Sequence, residues 1–282
     1  MVGQRNIVLG FVFGALAGAL WGLVFLAPKL VPQFGAIQLT AGRYVAYGLI
    51  ALVMLVPVWR LLKHKIRRKD WMALVVLALL GNTIYYLFLA KAVQMGGMAM
   101  TALVIGFLPV TVTIIGSRDK GALPLRQLAL PLVFSVAGAL VIGAETFLNP
   151  ATDSLATSVL AFGCAVGALV SWTAFAVGNT RALNRLVDIS SHEWSLLLGV
   201  VTGVQGVLLV PLALMLEPLA ESVQAWGVFA AVCAAIGLLS SVVGNALWNR
   251  MSRLLPLTMV GQMILFETLF ALLYAFAWDR RW

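Results

Sequence analysis

Apolar stretches of about 20 residues, separated by short polar breaks, run the length of this chain. Nine can be marked, at about 7–27, 37–57, 71–93, 98–116, 124–143, 155–178, 193–215, 226–250 and 256–276. At 1.5 Å of rise per residue, each is long enough to cross a hydrocarbon core about 30 Å thick. The pattern predicts an all-α polytopic membrane protein. The breaks are short, so sequential helices run antiparallel. The first stretch, Ile7 to Ala27, is too long for a signal-peptide core and is read as an uncleaved first helix.

Composition agrees with the pattern. Hydrophobic residues make up 62% of the 282 and charged residues only 10%, against about 25% charge in a soluble domain. A net charge of +9 would suggest nucleic acid in a soluble protein, but here the placement of the basic residues explains it. Arg60, Lys63, Lys65, Arg67, Arg68 and Lys69 lie between spans two and three, and Arg118, Lys120 and Arg126 between spans four and five. Arg181 and Arg185, then Arg250 and Arg253, occupy the later alternate breaks. The opposite breaks hold Lys29 and the acids Glu145, Asp153, Glu217 and Glu221. This asymmetry places the N-terminus and the basic loops in the cytoplasm, with Arg280 and Arg281 as an exception. Cys164 and Cys233 lie inside spans, which predicts buried free thiols rather than a disulfide framework or a metal site.

Part of the sequence is written twice. "FGALAGALWG" from Phe13 returns as "FGCAVGAL" from Phe162, with Trp172 close behind. Leu55-Val56-Pro57 returns as Leu209-Val210-Pro211, and Gly81-Asn82 with Tyr85 returns as Gly244-Asn245 with Trp248. Order and spacing are kept. Five spans per copy would start the second copy on the opposite side of the membrane, an inverted repeat of the kind that builds alternating-access transporters. The units expected are 1–148 and 149–282. On this register the second unit lacks its last helix, so ten helices are expected and nine are apparent.

Candidate chemistry gathers on a few spans. Gly10, Gly14, Gly18 and Gly22 stripe one face of span one, Gly163, Gly167 and Ser171 recur in span six, and Gly199 and Gly203 in span seven. Such faces let backbones pack closely and also suit bundles that rock or slide. Trp59, Trp71, Trp194, Trp226, Trp278 and Trp282 stand at span ends, where indoles anchor to the interface. Trp21, Trp172 and Trp248 lie well inside spans, facing either lipid or a cavity that offers the indole N–H a partner. In span three, Asn82 shares a face with Tyr85 and Tyr86, and span eight mirrors it with Asn245, Trp248 and Asn249. Amides can bond both ends of a zwitterion and aromatic faces hold rings and cations, although interhelical hydrogen bonding would use the same groups. Trp21, Asn82, Tyr85, Tyr86, Trp172, Asn245 and Trp248 are therefore the candidate substrate-binding residues.

Charges within spans are sorted by depth. Arg43 and Lys91 fall within snorkelling reach of the outer surface. Glu267 lies about 17 Å deep, where insertion scales charge roughly 2.5–3.5 kcal/mol, so it should be paired, protonated or lining water. Lys91 and Glu267 are the candidates for gating or coupling.

The doubled five-span unit, "ALWG" in the first helix with Lys29 at its exit, Arg43, "FLAKA" (Phe88 to Ala92) and Pro109 together resemble the drug/metabolite transporter superfamily, in its EamA-type branch. Within that branch the chain looks most like the YddG-type aromatic amino-acid exporters. Where the branch carries a Glu-Pro pair, this chain reads Glu267-Thr268 and so lacks the residue that would kink span nine. The resemblance implies a monomeric secondary transporter of a bacterial-type inner membrane, exporting aromatic amino acids through a central cavity between inverted repeats. Other amino acids, metabolites or cationic drugs are alternatives within the superfamily. No cofactor and no catalytic residue is expected. His64 lies in a basic loop, His192-Glu193 lacks the second histidine of HExxH, and neither a GxSxG elbow nor a phosphate-binding GxxxxGK[ST] is present. A channel would favour rings of like residues around a fixed pore, which a two-fold repeat does not supply.

Overall fold

In a computed structural model of the chain, the residues described are 4–116, 155–220 and 222–279, with the isolated helical positions 126, 129, 133 and 137. The rest of the fifth predicted span, Arg118, Lys120, Glu145, Asp153, Glu221, Arg280, Arg281, Trp282 and the boundary between the two units lie outside the described residues. Every regular element among those described is helical. The main helices are α1 (Gln4–Gly22), α2 (Ala27–Leu30), α3 (Ala36–Leu62), α4 (Arg68–Ala78), α5 (Ile84–Ile105) and α6 (Leu108–Gly116). After the gap come α7 (Leu155–Arg185), α8 (Ser191–Leu216), α9 (Val223–Ile236), α10 (Asn245–Leu254), α11 (Leu257–Met263) and α12 (Leu265–Asp279).

Among the described residues, seven stretches are long and apolar enough to span a membrane: Asn6–Leu30, Ala36–Leu62, Arg68–Gly116, Ala156–Arg185, Ser191–Leu216, Val223–Leu254 and Met259–Trp278. The third, at 49 residues, is long enough for two crossings, and the chain reverses inside it. Ser171 Oγ donates to Leu80 O at 2.7 Å, Phe88 lies against Gly167, and Gly96 lies against Ala161. Beyond Gly97 the chain climbs back up the same helix, and Thr111 meets Thr173 at 2.9 Å between hydroxyl oxygens. Gly97 makes the reversal, with φ 82°, a backbone region that costs an L side chain energy but not glycine. Predicted spans three and four are thus two arms of one hairpin against α7.

The bundle is held by close backbone approach, because lipid offers helices no hydrophobic reason to associate. The glycine stripe of α1 faces the last span. A Cβ on Gly18 would sit 2.7 Å from Glu267 N, and one on Gly22 would sit 3.0 Å from Ala271 N. α3 crosses α8 at two bare backbones: a Cβ on Gly48 would stand 2.4 Å from the Cα of Gly203, and the converse distance is 2.5 Å. Gly163 differs, since a Cβ there meets nothing within 4 Å. Outward positions such as Leu49, Val53, Leu208 and Met215 are exposed and apolar, as a lipid-facing surface requires. The two cysteines are buried and free.

The two ends of the bundle are tied differently. At one end the basic loops meet. Arg185 Nη2 pairs with Asp70 Oδ1 at 2.8 Å, Lys65 Nζ donates to Asp188 O at 3.1 Å, and Arg253 donates to Leu186 O at 3.2 Å and also to Ile189 O. At the other end Glu217 reaches across to the start of α3 and accepts from Ile37 N–H at 2.9 Å and Gln38 N–H at 2.7 Å. An acidic side chain there satisfies two orphan donors at the positive end of the helix. Gln38 Nε2 donates to Pro218 O at 3.0 Å, completing the tie.

Trp194 departs from the sequence expectation. It is fully buried, and its indole N–H donates to Asn179 Oδ1 at 2.8 Å, so it is an interior residue and not an interface anchor. Asn179 passes the connection on to Asn249, and Asn249 to Ser195.

Candidate functional site

Among the described residues two helices carry a π-helical segment, Leu79–Thr83 before α5 and Gly237–Gly244 before α10. The first contains Gly81-Asn82 and the second ends at Gly244, immediately before Asn245. A π segment holds one residue more than the α ladder needs and loosens its hydrogen bonding. Side chains from other helices use the carbonyls in these segments. Tyr44 OH donates to Asn82 O at 3.0 Å, Ser171 Oγ to Leu80 O at 2.7 Å, and Trp21 Nε1 to Ser240 O at 2.9 Å.

Between the two π segments lies a small cavity lined by Trp21, Val24, Arg43, Tyr44, Gly81, Asn82, Tyr85, Trp172, Phe175, Asn245 and Glu267. Its volume is about 20 Å³, room for about one water molecule. Asn82 stands midway between Arg68 and Gly97, which sets the cavity near the middle of its span. Six of the nine site residues predicted from sequence line it, namely Trp21, Asn82, Tyr85, Trp172, Asn245 and Glu267. Trp248 does not line it but contacts Trp21 and Trp172, which do, and Tyr86 likewise contacts Tyr44 and Arg43. Trp21, Trp172 and Trp248 form a closed triangle with ring centroids 5.5, 4.9 and 5.2 Å apart, so the question of lipid or interior is answered for all three. Lys91 is exposed and is not among the lining residues.

The amides are already engaged. Asn82 Nδ2 donates to Thr202 Oγ1 at 3.0 Å, and Asn245 Nδ2 donates to Tyr47 OH at 3.3 Å. The charged groups are engaged on one side only. Tyr85 OH donates to Glu267 Oε1 at 3.2 Å, while Glu267 Oε2 has no hydrogen-bond partner. Arg43 Nε donates to Ser241 Oγ at 3.2 Å, while Arg43 Nη1 has none.

Arg43 is the residue the depth argument misplaced. It does not snorkel: it is 6% exposed, with its guanidinium 4.3 Å from the Tyr86 ring centroid and 5.0 Å from that of Tyr44. Cation–π contact and the Ser241 hydroxyl hold it inward. The available signal was the run Arg43-Tyr44 with Tyr47 one turn later, a charge flanked by phenols inside an apolar span. Tyr44 and Phe175 also line the cavity without having been singled out. Among the described residues no group of three histidine, cysteine or acidic side chains gathers to hold a metal.

Residues 8–144 match the model of the EamA-like transporter family. The inner membrane protein YtfF of Escherichia coli (strain K12) is 32% identical, over 95% of this chain and 87% of that protein. A solved crystal structure shares the fold at TM-score 0.70 and 16% identity, covering 98% of this chain and 89% of its own.

Proposed function

Because this chain belongs to the EamA-like transporter family, we propose that it is a secondary exporter of small amphipathic metabolites, with aromatic amino acids as the substrate. The observation that carries this reading is the cavity deep in the bundle, walled by Trp21, Tyr85, Trp172 and Phe175 and bearing both a cation and an anion. Aromatic walls favour a planar ring, through offset or edge-to-face contact worth about 0.5–1.5 kcal/mol per pair. A second cation in the substrate would meet Arg43, which disfavours cationic drugs.

The cavity works by alternating access between two inverted five-helix units, 1–148 and 149–282. Two features support that reading, each falling on motifs that the sequence repeat pairs. Trp21 touches Trp172, and a π segment accompanies each Gly-Asn motif. The end rich in lysine and arginine faces the cytoplasm. A cavity of about 20 Å³ is far smaller than an indole, so loading requires the helices to part at one end or the other. Glu267 is the group through which a proton gradient would act.

The test is uptake by proteoliposomes of labelled tryptophan against labelled alanine, with and without a pH gradient. Saturable tryptophan uptake, reduced at least tenfold in Trp172→Ala, is expected. Equal uptake of both amino acids, or of neither, would overturn the substrate assignment.

A further inference from the structure

Two opposite charges share the cavity wall and no ion pair joins them. Arg43 and Glu267 are 6% and 2% exposed, yet each keeps one polar atom, Nη1 and Oε2, without a partner. A buried charge left half-satisfied is costly, and the simplest relief would be for the two groups to pair. The structure holds them apart instead. Consecutive residues of α5 do this: the Tyr86 ring lies under the guanidinium at 4.3 Å, and the Tyr85 hydroxyl binds the carboxylate at 3.2 Å. Ser241, from the second π segment, fixes the guanidinium from the other side at 3.2 Å.

We propose that Arg43 and Glu267 are the two poles of a zwitterion site, Arg43 taking the substrate carboxylate through Nη1 and Glu267 the substrate ammonium through Oε2. The site therefore selects free α-amino acids over the corresponding amines and acids. This rests on the aromatic-substrate reading above and adds to it the groups that read charge. The asparagine N–H groups are already taken by Thr202 and Tyr47, which leaves Arg43 and Glu267 to read charge. A ligand carrying only a carboxylate would satisfy Arg43 and leave Glu267 uncompensated, and a ligand carrying only an amine would do the reverse. Each mismatch forfeits a charge-assisted hydrogen bond at a buried group.

The test measures binding of tryptophan, tryptamine and indole-3-propionate to the purified protein, by competition and by ligand-induced thermal stabilisation. In wild type, tryptophan should bind at least tenfold more tightly than either analogue, about 1.4 kcal/mol. Glu267→Gln should abolish the preference over indole-3-propionate and keep the preference over tryptamine. Arg43→Met should do the converse, with Arg43→Lys restoring part of it. If Arg43→Met does not fold, the Glu267→Gln arm decides alone. Equal binding of all three ligands by wild type, or equal weakening of all three in a variant, would overturn the pole assignment while leaving an aromatic site standing. Binding of none of them would overturn the aromatic reading itself.

Discussion

Gly203→Ala should destabilise this protein, whereas Gly163→Ala, the same change in another helix, should not. A methyl on Gly203 would come within 2.5 Å of the Cα of Gly48, well inside the separation of about 3.5–4.0 Å at which carbon atoms attract. The neighbour is backbone and cannot swing away, so α3 and α8 must move apart by about 1 Å. That displacement loosens the contacts on either side, where Gly199 accommodates Ala51 and Tyr47, and Gly206 lies against the backbone of Val45. Overpacking of this kind costs roughly 1–3 kcal/mol, partly offset by the gain of about 0.5–1 kcal/mol for alanine over glycine in a helix. At Gly163 only the gain applies, because the new methyl meets nothing within 4 Å. Apparent melting temperatures of detergent-solubilised protein at a fixed heating rate should fall for Gly203→Ala and hold or rise for Gly163→Ala. In Gly48→Ala/Gly203→Ala the second substitution should cost less than the first, because one separation serves both. Equal shifts for Gly203→Ala and Gly163→Ala would refute the packing argument.

Three further outcomes follow from other contacts. Arg185→Met leaves Asp70, 1% exposed, as a buried carboxylate without its cation, and should cost about 1–3 kcal/mol given that Arg185 is half exposed. Asp70→Asn leaves one acceptor where Arg67 N–H and Arg185 now use two oxygens, but strands no buried charge, and should cost less in the same melting assay. Glu217→Ala removes the acceptor shared by Ile37 and Gln38 at the head of α3 and should cost about 1–2 kcal/mol. Faster amide hydrogen exchange confined to the first turn of α3 would locate that loss. Trp21→Phe retains the ring packing but strands Ser240 O, which should cost about 1–3 kcal/mol, again read by melting.

Much of the architecture can be read from the sequence, because a membrane span is a matter of length and apolarity. The hairpin arms divide at Gly97, as the breaks in the pattern indicate, and the basic loops of spans two, six and eight meet at one end. The stripe from Gly10 to Gly22 marks a close-packed face that meets backbone at Gly18 and Gly22 and side chains, those of Leu255 and Met263, at Gly10 and Gly14. Arg43 and Trp194 were misjudged for one reason. Both were placed by their distance from a span end, and distance says nothing of what neighbouring helices offer. Ser241 and the rings of Tyr44 and Tyr86 draw Arg43 inward, and Asn179 does the same for Trp194. The π segments leave no mark in a hydrophobicity pattern, since one surplus residue changes hydrogen bonding but not apolarity.

That surplus residue has a geometric consequence. An α-helix turns about 100° per residue, so wherever a helix holds one extra residue, everything beyond it is turned by roughly that angle relative to an uninterrupted spiral. Such an irregularity can migrate: if the wide turn moves one residue along, the side chain it passes swings to another face while both ends of the helix stay anchored. Asn82 and Asn245 stand at the two places where this can happen, on helices that wall the same cavity. Two helices can thus re-aim their lining groups by passing a single hydrogen bond down the spiral, without unfolding and without sliding through the bilayer.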